Sequence, residues 1–205
     1  ELIIKSFRIT SEQRKKIRLL SQSLIGFEII DESSEEIVLK NIFDASKFPI
    51  QQNIEKMFQI AKSMLDDTVK ALINNDRMLS KDIIDRDFEI DNLNIAITRQ
   101  FHSLIGNILS EEQINLDSTD LNYYDNIGTQ LERIADHAVK IAKAIISENK
   151  YVQKRLVTFY IQMFEKIITT LDQSKKMVAE LDKKHAHQIL DSNLAIEKMI
   201  YLNRK

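Results

Sequence analysis

The chain has 205 residues, a formal net charge of −2, no Cys, no Trp, one Pro and three Gly. That length fits one domain with an appendage or two small domains. Without Cys there are no disulfides, thiolate zinc sites or cysteine nucleophiles, and Gly26, Gly106 and Gly128 cannot build a Gly-rich phosphate loop. So little Gly and Pro argues against an all-β protein. No apolar run approaches the length of a membrane span, and no basic start leads into an apolar block, as a signal peptide would require. Near-neutral charge gives no overall drive toward nucleic acid or anionic lipid. The chain opens at Glu1 in a strand-like run and stops at Arg204-Lys205 beside helical sequence. It is therefore expected to be part of something longer at both ends.

The first 48 residues read as a small β-α-β-β unit. Leu2–Ile9 is rich in strand formers. Thr10-Ser11-Glu12-Gln13 has the pattern of a capping box, so a short helix is expected from Ser11 to about Ser23, stopped by Gly26. Phe27–Asp31 and Glu36–Ile42 read as strands around the polar turn Glu32–Glu35. The unit holds eight Lys/Arg and eight Asp/Glu, so it is no basic arm. After Pro49, which suits a first helical turn, the pattern is helical. The first long helix is expected to run to Asn74, with Ile54, Met57, Phe58, Ala61, Met64, Leu65, Thr68 and Leu72 on its apolar stripe. Asn74-Asn75-Asp76 breaks it. The second spans Met78 to Leu109, with Ile83, Ile90, Ile97, Phe101, Leu104 and Ile108. Ser110–Thr119 is a polar loop. The third spans Asp120 to Ser147, with Ile127, Leu131, Ile134, Ala138, Ile141 and Ile145. A fourth covers Val152 to Leu181, and a fifth His185 to Leu202. Long helices with short connections pack antiparallel. The expected architecture is mainly α: a three-helix-bundle repeat over 49–148, a truncated second repeat over 149–205, and the β-containing connector over 1–48.

Two carboxylate pairs could carry chemistry, Asp87 with Asp91 and Glu132 with Asp136. Spacing of four places each pair one turn apart on one helix face. Like charges there repel, and a hard cation relieves the repulsion. The chain contains six acidic i,i+4 pairs, no more than its composition supplies, so the spacing alone indicates a solvated helix face. On the expected stripe, Glu132 and Asp136 lie nearly opposite the apolar side and face water or a partner. Asp87 and Asp91 sit at the edge of theirs.

The wider words around these pairs are more specific. Gln130-Leu131-Glu132-Arg133-Ile134-Ala135-Asp136-His137-Ala138 closely resembles the leucine-glutamate-arginine-isoleucine-glycine-aspartate-histidine-alanine signature of the PhoU family. Asp87-Phe88-Glu89-Ile90-Asp91 is similar to that family's other acidic motif. Leu24–Ile29 with Glu35–Leu39 resembles the connector of archaeal phosphate uptake regulators, in which an AbrB-like DNA-binding domain precedes the PhoU domain. The resemblance implies a cytoplasmic, all-helical regulator built from two three-helix repeats, often a homodimer. Such proteins restrain phosphate uptake by communicating with the phosphate ABC transporter and, in bacteria, with a sensor kinase. It also implies Asp87, Asp91, Glu132 and Asp136 as candidate metal ligands, for Fe, Zn or Ca in a multinuclear site or for no metal at all. DNA would be reached only through a domain lying before Glu1, and no membrane insertion is implied.

The sequence departs from that pattern in places. Ala135 replaces the usual Gly, and Lys140 stands where Asn is common. Lys140 and Lys143 put positive charge on the acidic face. Asp191 is followed four residues later by Ala195 rather than Asp, which weakens a second cluster. His137 lies at the flank of the apolar stripe and reads as a structural His. His185 and His187 point apart on a helix. Arg14, Lys15, Lys16 and Arg18 read as the wet face of a short helix, Tyr123-Tyr124 as a packed helix start, and the helical methionines as core filler. The competing readings are a metal-dependent all-helical hydrolase and a purely structural dimerisation bundle. No Glu has His three residues later, so a di-iron bundle is excluded. No Ser/His/Asp set falls on rigid neighbouring elements. A regulator rather than an enzyme is the expected function.

Overall fold

The computed structural model describes residues 1–22, 24–148 and 154–180. The expected fifth helix, with His185, His187, Asp191 and Ala195, lies outside the described residues. The described architecture is mainly helical, with a small three-stranded sheet at its start: β1 (Leu2–Lys5), α1 (Ser11–Gln22), β2 (Phe27–Glu32), β3 (Glu36–Asn41), α2 (Ile50–Asn74), α3 (Arg77–Ile105), α4 (Glu111–Ile114), α5 (Ser118–Glu148) and α6 (Lys154–Glu180). No helix among the described residues is long and apolar enough to cross a membrane. Two compact units are distinguished. One is 1–51 with 91–129, the other 52–90 with 130–205.

In the first unit the capping box forms as expected. The Thr10 amide donates to Gln13 Oε1 (2.9 Å) and the Gln13 amide to Thr10 Oγ1 (3.2 Å). These bonds satisfy donors at the start of α1 that the helix itself leaves open. The sheet is antiparallel in the order β1-β3-β2. Alternation along the strands sends Ile37 and Leu39 to one face, where they bury with Ile9 against Ile4, Ile17, Phe27 and Ile29. The first strand is shorter than expected, ending at Lys5 rather than Ile9. Gly26 turns the chain from α1 into β2 with φ +74°, a left-handed conformation that L side chains resist. Its carbonyl accepts from the Ile42 amide (2.7 Å).

The α1 basic cluster is more than a wet face. Arg14 and Arg18 both bond Glu32, the Arg18 contact at 2.9 Å, and Arg14 also donates to the Ser33 carbonyl (2.9 Å). Hydrogen bonds from Arg14, then Arg18, hold the Glu32 carboxyl below its ordinary range. From α3, the Arg99 guanidinium bonds the Ile25 carbonyl and Asn41 Oδ1, and sits 4.4 Å from the Phe43 ring centroid and 5.2 Å from that of Phe27. Gln100, buried, donates to the Ala45 carbonyl (2.7 Å). These long-range bonds tie this part of α3 to the β-containing segment.

The second helix ends at Ile105, four residues before the expected Leu109. Asn107 adopts φ +53°, the Ile108 amide donates to the Ser103 carbonyl (2.9 Å), and the Asn107 amide donates to the Leu104 carbonyl (3.0 Å). This is a Schellman closure with Asn in the left-handed position. It throws Ile108 off the apolar stripe, and Ile108 is 76% exposed. The expected loop after it contains the single turn α4, closed by a capping box between Ser110 and Gln113. α5 then begins at Ser118, two residues earlier than expected. Tyr123, expected to pack there, is exposed instead.

In the second unit, α2 buries Ile54, Met57, Phe58, Ala61, Met64, Leu65, Thr68 and Ala71, with Leu72 half-buried. Thr68 is satisfied by donating to the Met64 carbonyl (2.6 Å). Asn75 in the left-handed region ends α2, and the Asp76 carboxylate accepts from the Met78 and Leu79 amides (3.0 Å each) to start α3. That is an N-cap one residue before the helix. Met78 itself is exposed, unlike the core methionines Met57 and Met64. Ion pairs Arg86–Asp67 (2.6 Å) and Lys56–Glu89 (2.5 Å) join α3 to α2 in antiparallel order. Lys62–Asp172 (2.6 Å) and Lys175–Glu55 (2.9 Å) join α6 to α2 in the same sense.

Candidate functional site

The buried stripe of α5 in this unit is Leu131, Ala135, Ala138, Val139, Ala142 and Ile145. The expected stripe ran through Ile134 and Ile141, which are only half-buried. The core side is therefore turned by roughly 50° around the helix, at ~100° per residue. Alanines cause the turn. Ala135, Ala138 and Ala142 are fully buried, and their small side chains let neighbouring elements approach closely, leaving the larger isoleucines at the margin.

That rotation corrects the expected placement of Glu132 and Asp136. They flank the core instead of standing opposite it, and both are half-buried. Burial raises the Glu132 pKa above 4.5; the charge of Asp136 and then that of Asp87 raise it further, against Arg133 and Lys140. Three of the four candidate carboxylates, Asp87 from α3 and Glu132 and Asp136 from α5, thus share one electrostatic neighbourhood. Asp87 is half-buried, with Oδ1 shielded from water. Asp136 accepts from Lys140 Nζ at 3.3 Å, so the cation anticipated on this face does meet an acid. Asp91 lies one turn further along α3, half-buried, in the other compact unit. His137, at the flank of the apolar stripe, is exposed.

The donors are hard oxygens, suited to a hard cation. Yet among the described residues no three His, Asp or Glu side chains come close enough to hold one metal ion. In this arrangement the acids form an electronegative patch, not a closed coordination sphere. One neighbour was not singled out from sequence: Phe88, between Asp87 and Glu89, is 49% exposed. The available signal was its position, off the Ile83/Ile90 stripe in a run of acids. Exposed aromatic side chains are enriched at protein-binding surfaces, and the carboxylates beside this one would select a basic partner.

Comparison with known proteins bears on this face. The family model for the PhoU domain matches residues 54–145, a span that holds all four candidate carboxylates. The chain is also similar to the phosphate-specific transport system accessory protein PhoU homolog of Clostridium acetobutylicum, 27% identical over 153 residues, which cover 73% of this chain and 68% of that protein. No solved structure matches the chain.

Proposed function

We propose that this chain is a PhoU-type regulator of phosphate uptake, an accessory protein that binds subunits of a phosphate ABC transporter on the cytoplasmic side. The observation that supports this reading is the PhoU match over 54–145, joined to the acidic face that Asp87, Glu132 and Asp136 build within it. On this reading 49–148 is the first three-helix repeat, 149–205 opens the second, and the protein works as a homodimer without catalysing a reaction. The archaeal form, with an AbrB-like domain ahead of the connector linking the regulator to transcription, belongs to the same reading.

The acidic face acts by charge and shape. Half-buried carboxylates held together against their mutual repulsion attract a basic partner surface, and their interaction strengthens as the partner excludes water. Phe88 supplies the apolar anchor beside them. A second reading, a cation held at the face of Asp87, Glu132 and Asp136, is favoured by the like charges of Asp136 and Asp87 that help raise the Glu132 pKa, because a bound Ca, Fe or Zn ion would offset that repulsion.

The test is phosphate uptake in cells lacking the gene. Loss of the regulator should raise radiolabelled phosphate uptake under phosphate-rich conditions, and the wild-type chain should restore restraint. The paired variant Glu132→Gln/Asp136→Asn, expressed at equal level, should not. Uptake unchanged by the deletion would refute the reading.

A further inference from the structure

We infer that the open edge of β1 pairs with β1 of a second copy of this chain, in antiparallel register centred on Ile3, so that two three-stranded sheets become one. This inference rests on the β-containing segment and gives the proposed homodimer an interface; recognition of a transporter by the acidic face does not depend on it.

The sheet has two edges, and they are guarded differently. β2 carries a bulge between Ile29 and Asp31, and it is acidic at Glu28, Asp31 and Glu32. Bulges bend an edge away from partners, and antiparallel self-pairing would oppose its like charges. β1 has no bulge, and the charges at its two ends, Glu1 and Lys5, are opposite in sign, so self-pairing brings them together instead of opposing them. Its register with β3 is regular from Leu2↔Leu39 to Lys5↔Glu36. Among the described residues no strand pairs with its other side.

The backbone of β1 is set for this register. The Ser6 amide donates to the Glu35 carbonyl (2.9 Å), and that pair continues the β1–β3 register. In an antiparallel ladder the bonded positions alternate. Ser6, Ile4 and Leu2 therefore face β3, and Ile3 and Lys5 turn their amides and carbonyls to the open side. A two-fold axis at Ile3 pairs odd positions with odd: Ile3 exchanges both bonds with its own copy, and Lys5 does so with Glu1.

The side chains complement one another in the same register. Glu1-Leu2-Ile3-Ile4-Lys5 reads acid to base about its centre. Each Glu1 stands opposite the second copy's Lys5, an attractive cross-strand pair. Leu2, 52% exposed, stands opposite the second copy's Ile4, on the face where Ile4 already packs with Ile37 and Leu39. Ile3, 48% exposed, meets its own copy on the other face. A second copy thus covers apolar area that the single chain leaves wet, and it matches the charges at both ends.

Sedimentation equilibrium of the full chain, from micromolar to submillimolar concentration, tests this. The mass should rise reversibly from 23.9 kDa toward twice that value. Ile3→Pro removes an amide that points away from β3, a substitution edge strands tolerate. It should weaken association about tenfold or more, with circular dichroism and thermal unfolding of the monomer preserved. Lys5→Glu should weaken it comparably, and Glu1→Lys/Lys5→Glu should restore it, although the Lys5–Glu36 ion pair (2.7 Å) stays broken in both. A mass that remains that of one chain throughout, or a dimer indifferent to all three changes, would overturn the inference.

Discussion

Glu132→Gln should stabilise the protein at neutral pH and leave it unchanged in acid. The reasoning starts from the cost of the wild-type charge. Glu132 is ionised against burial, against Asp136 one turn away and against Asp87 on α3. Like charges at i,i+4 cost about 0.2–0.5 kcal/mol. The Asp87 repulsion adds to that figure, while Arg133 and Lys140 oppose it, so removing the charge should gain about 0.5 kcal/mol. For a chain of this length that corresponds to roughly 1–2 °C in Tm. The sign with pH follows from the raised folded-state pKa. The native protein holds its proton at Glu132 to higher pH than the unfolded chain does. Wild type therefore loses stability from this group as pH rises from about the ordinary 4.5 through the raised native value, and the Gln variant does not. Below that window both side chains are neutral and the two proteins should melt together. Denaturant unfolding at pH 4, 5.5 and 7.5 measures this directly. A Gln variant less stable than wild type at pH 7.5, or shifted equally at all three values, would refute the electrostatic account of the site.

Four further substitutions probe packing within each of the two units. Gly26→Ala places a Cβ 2.5 Å from Phe43 Cβ and 2.7 Å from its Cα, at φ +74°; the left-handed penalty and the overlap together should cost about 2–5 kcal/mol in urea unfolding. Arg99→Met removes bonds to the Ile25 carbonyl and Asn41 and the stacking on Phe43, and should cost about 1–3 kcal/mol. Arg99→Lys should not rescue it, because an ammonium cannot span both acceptors while lying flat on a ring. Ala135→Leu overfills a fully buried position on α5 and should cost about 1–3 kcal/mol. An unchanged unfolding midpoint for this variant would show that the alanine face is not closely packed.

Local chemistry made much of this structure readable. Thr10 with Gln13 marked the start of α1, and Gly26 its exit. Pro49 and Asn74–Asp76 bracketed α2, whose stripe of Ile, Met and Leu is buried as patterned. The errors arose where the deciding interaction was weak in sequence. Asn107 took the left-handed role usually given to Gly, so α3 stopped before Ile108. The α4 turn repeated the capping-box logic at Ser110 and Gln113 inside what looked like a plain polar loop. On α5, counting large apolar residues gave weight to Ile134 and Ile141 over Ala135 and Ala142, because hydrophobicity scales measure transfer from water and not how closely helices approach. That choice misplaced the core by half a helix quadrant and set Glu132 too far from it. The carboxylates themselves were legible only through the surrounding words, since acidic pairs at this spacing are common in so charged a chain. The buried share of Glu132 and the exposure of Phe88 required tertiary structure.

We propose that a phosphate transporter recognises the acidic face built by Asp87, Glu132 and Asp136 on α3 and α5. The affinity of the purified full chain for the reconstituted phosphate ABC transporter, by calorimetry at moderate salt, tests this most directly. Wild type should bind saturably, Glu132→Gln/Asp136→Asn should bind about tenfold or more weakly, and a surface control such as Lys81→Gln should bind as wild type does. Binding of equal strength by the acidic-face variant and wild type, or no binding by either, would contradict it.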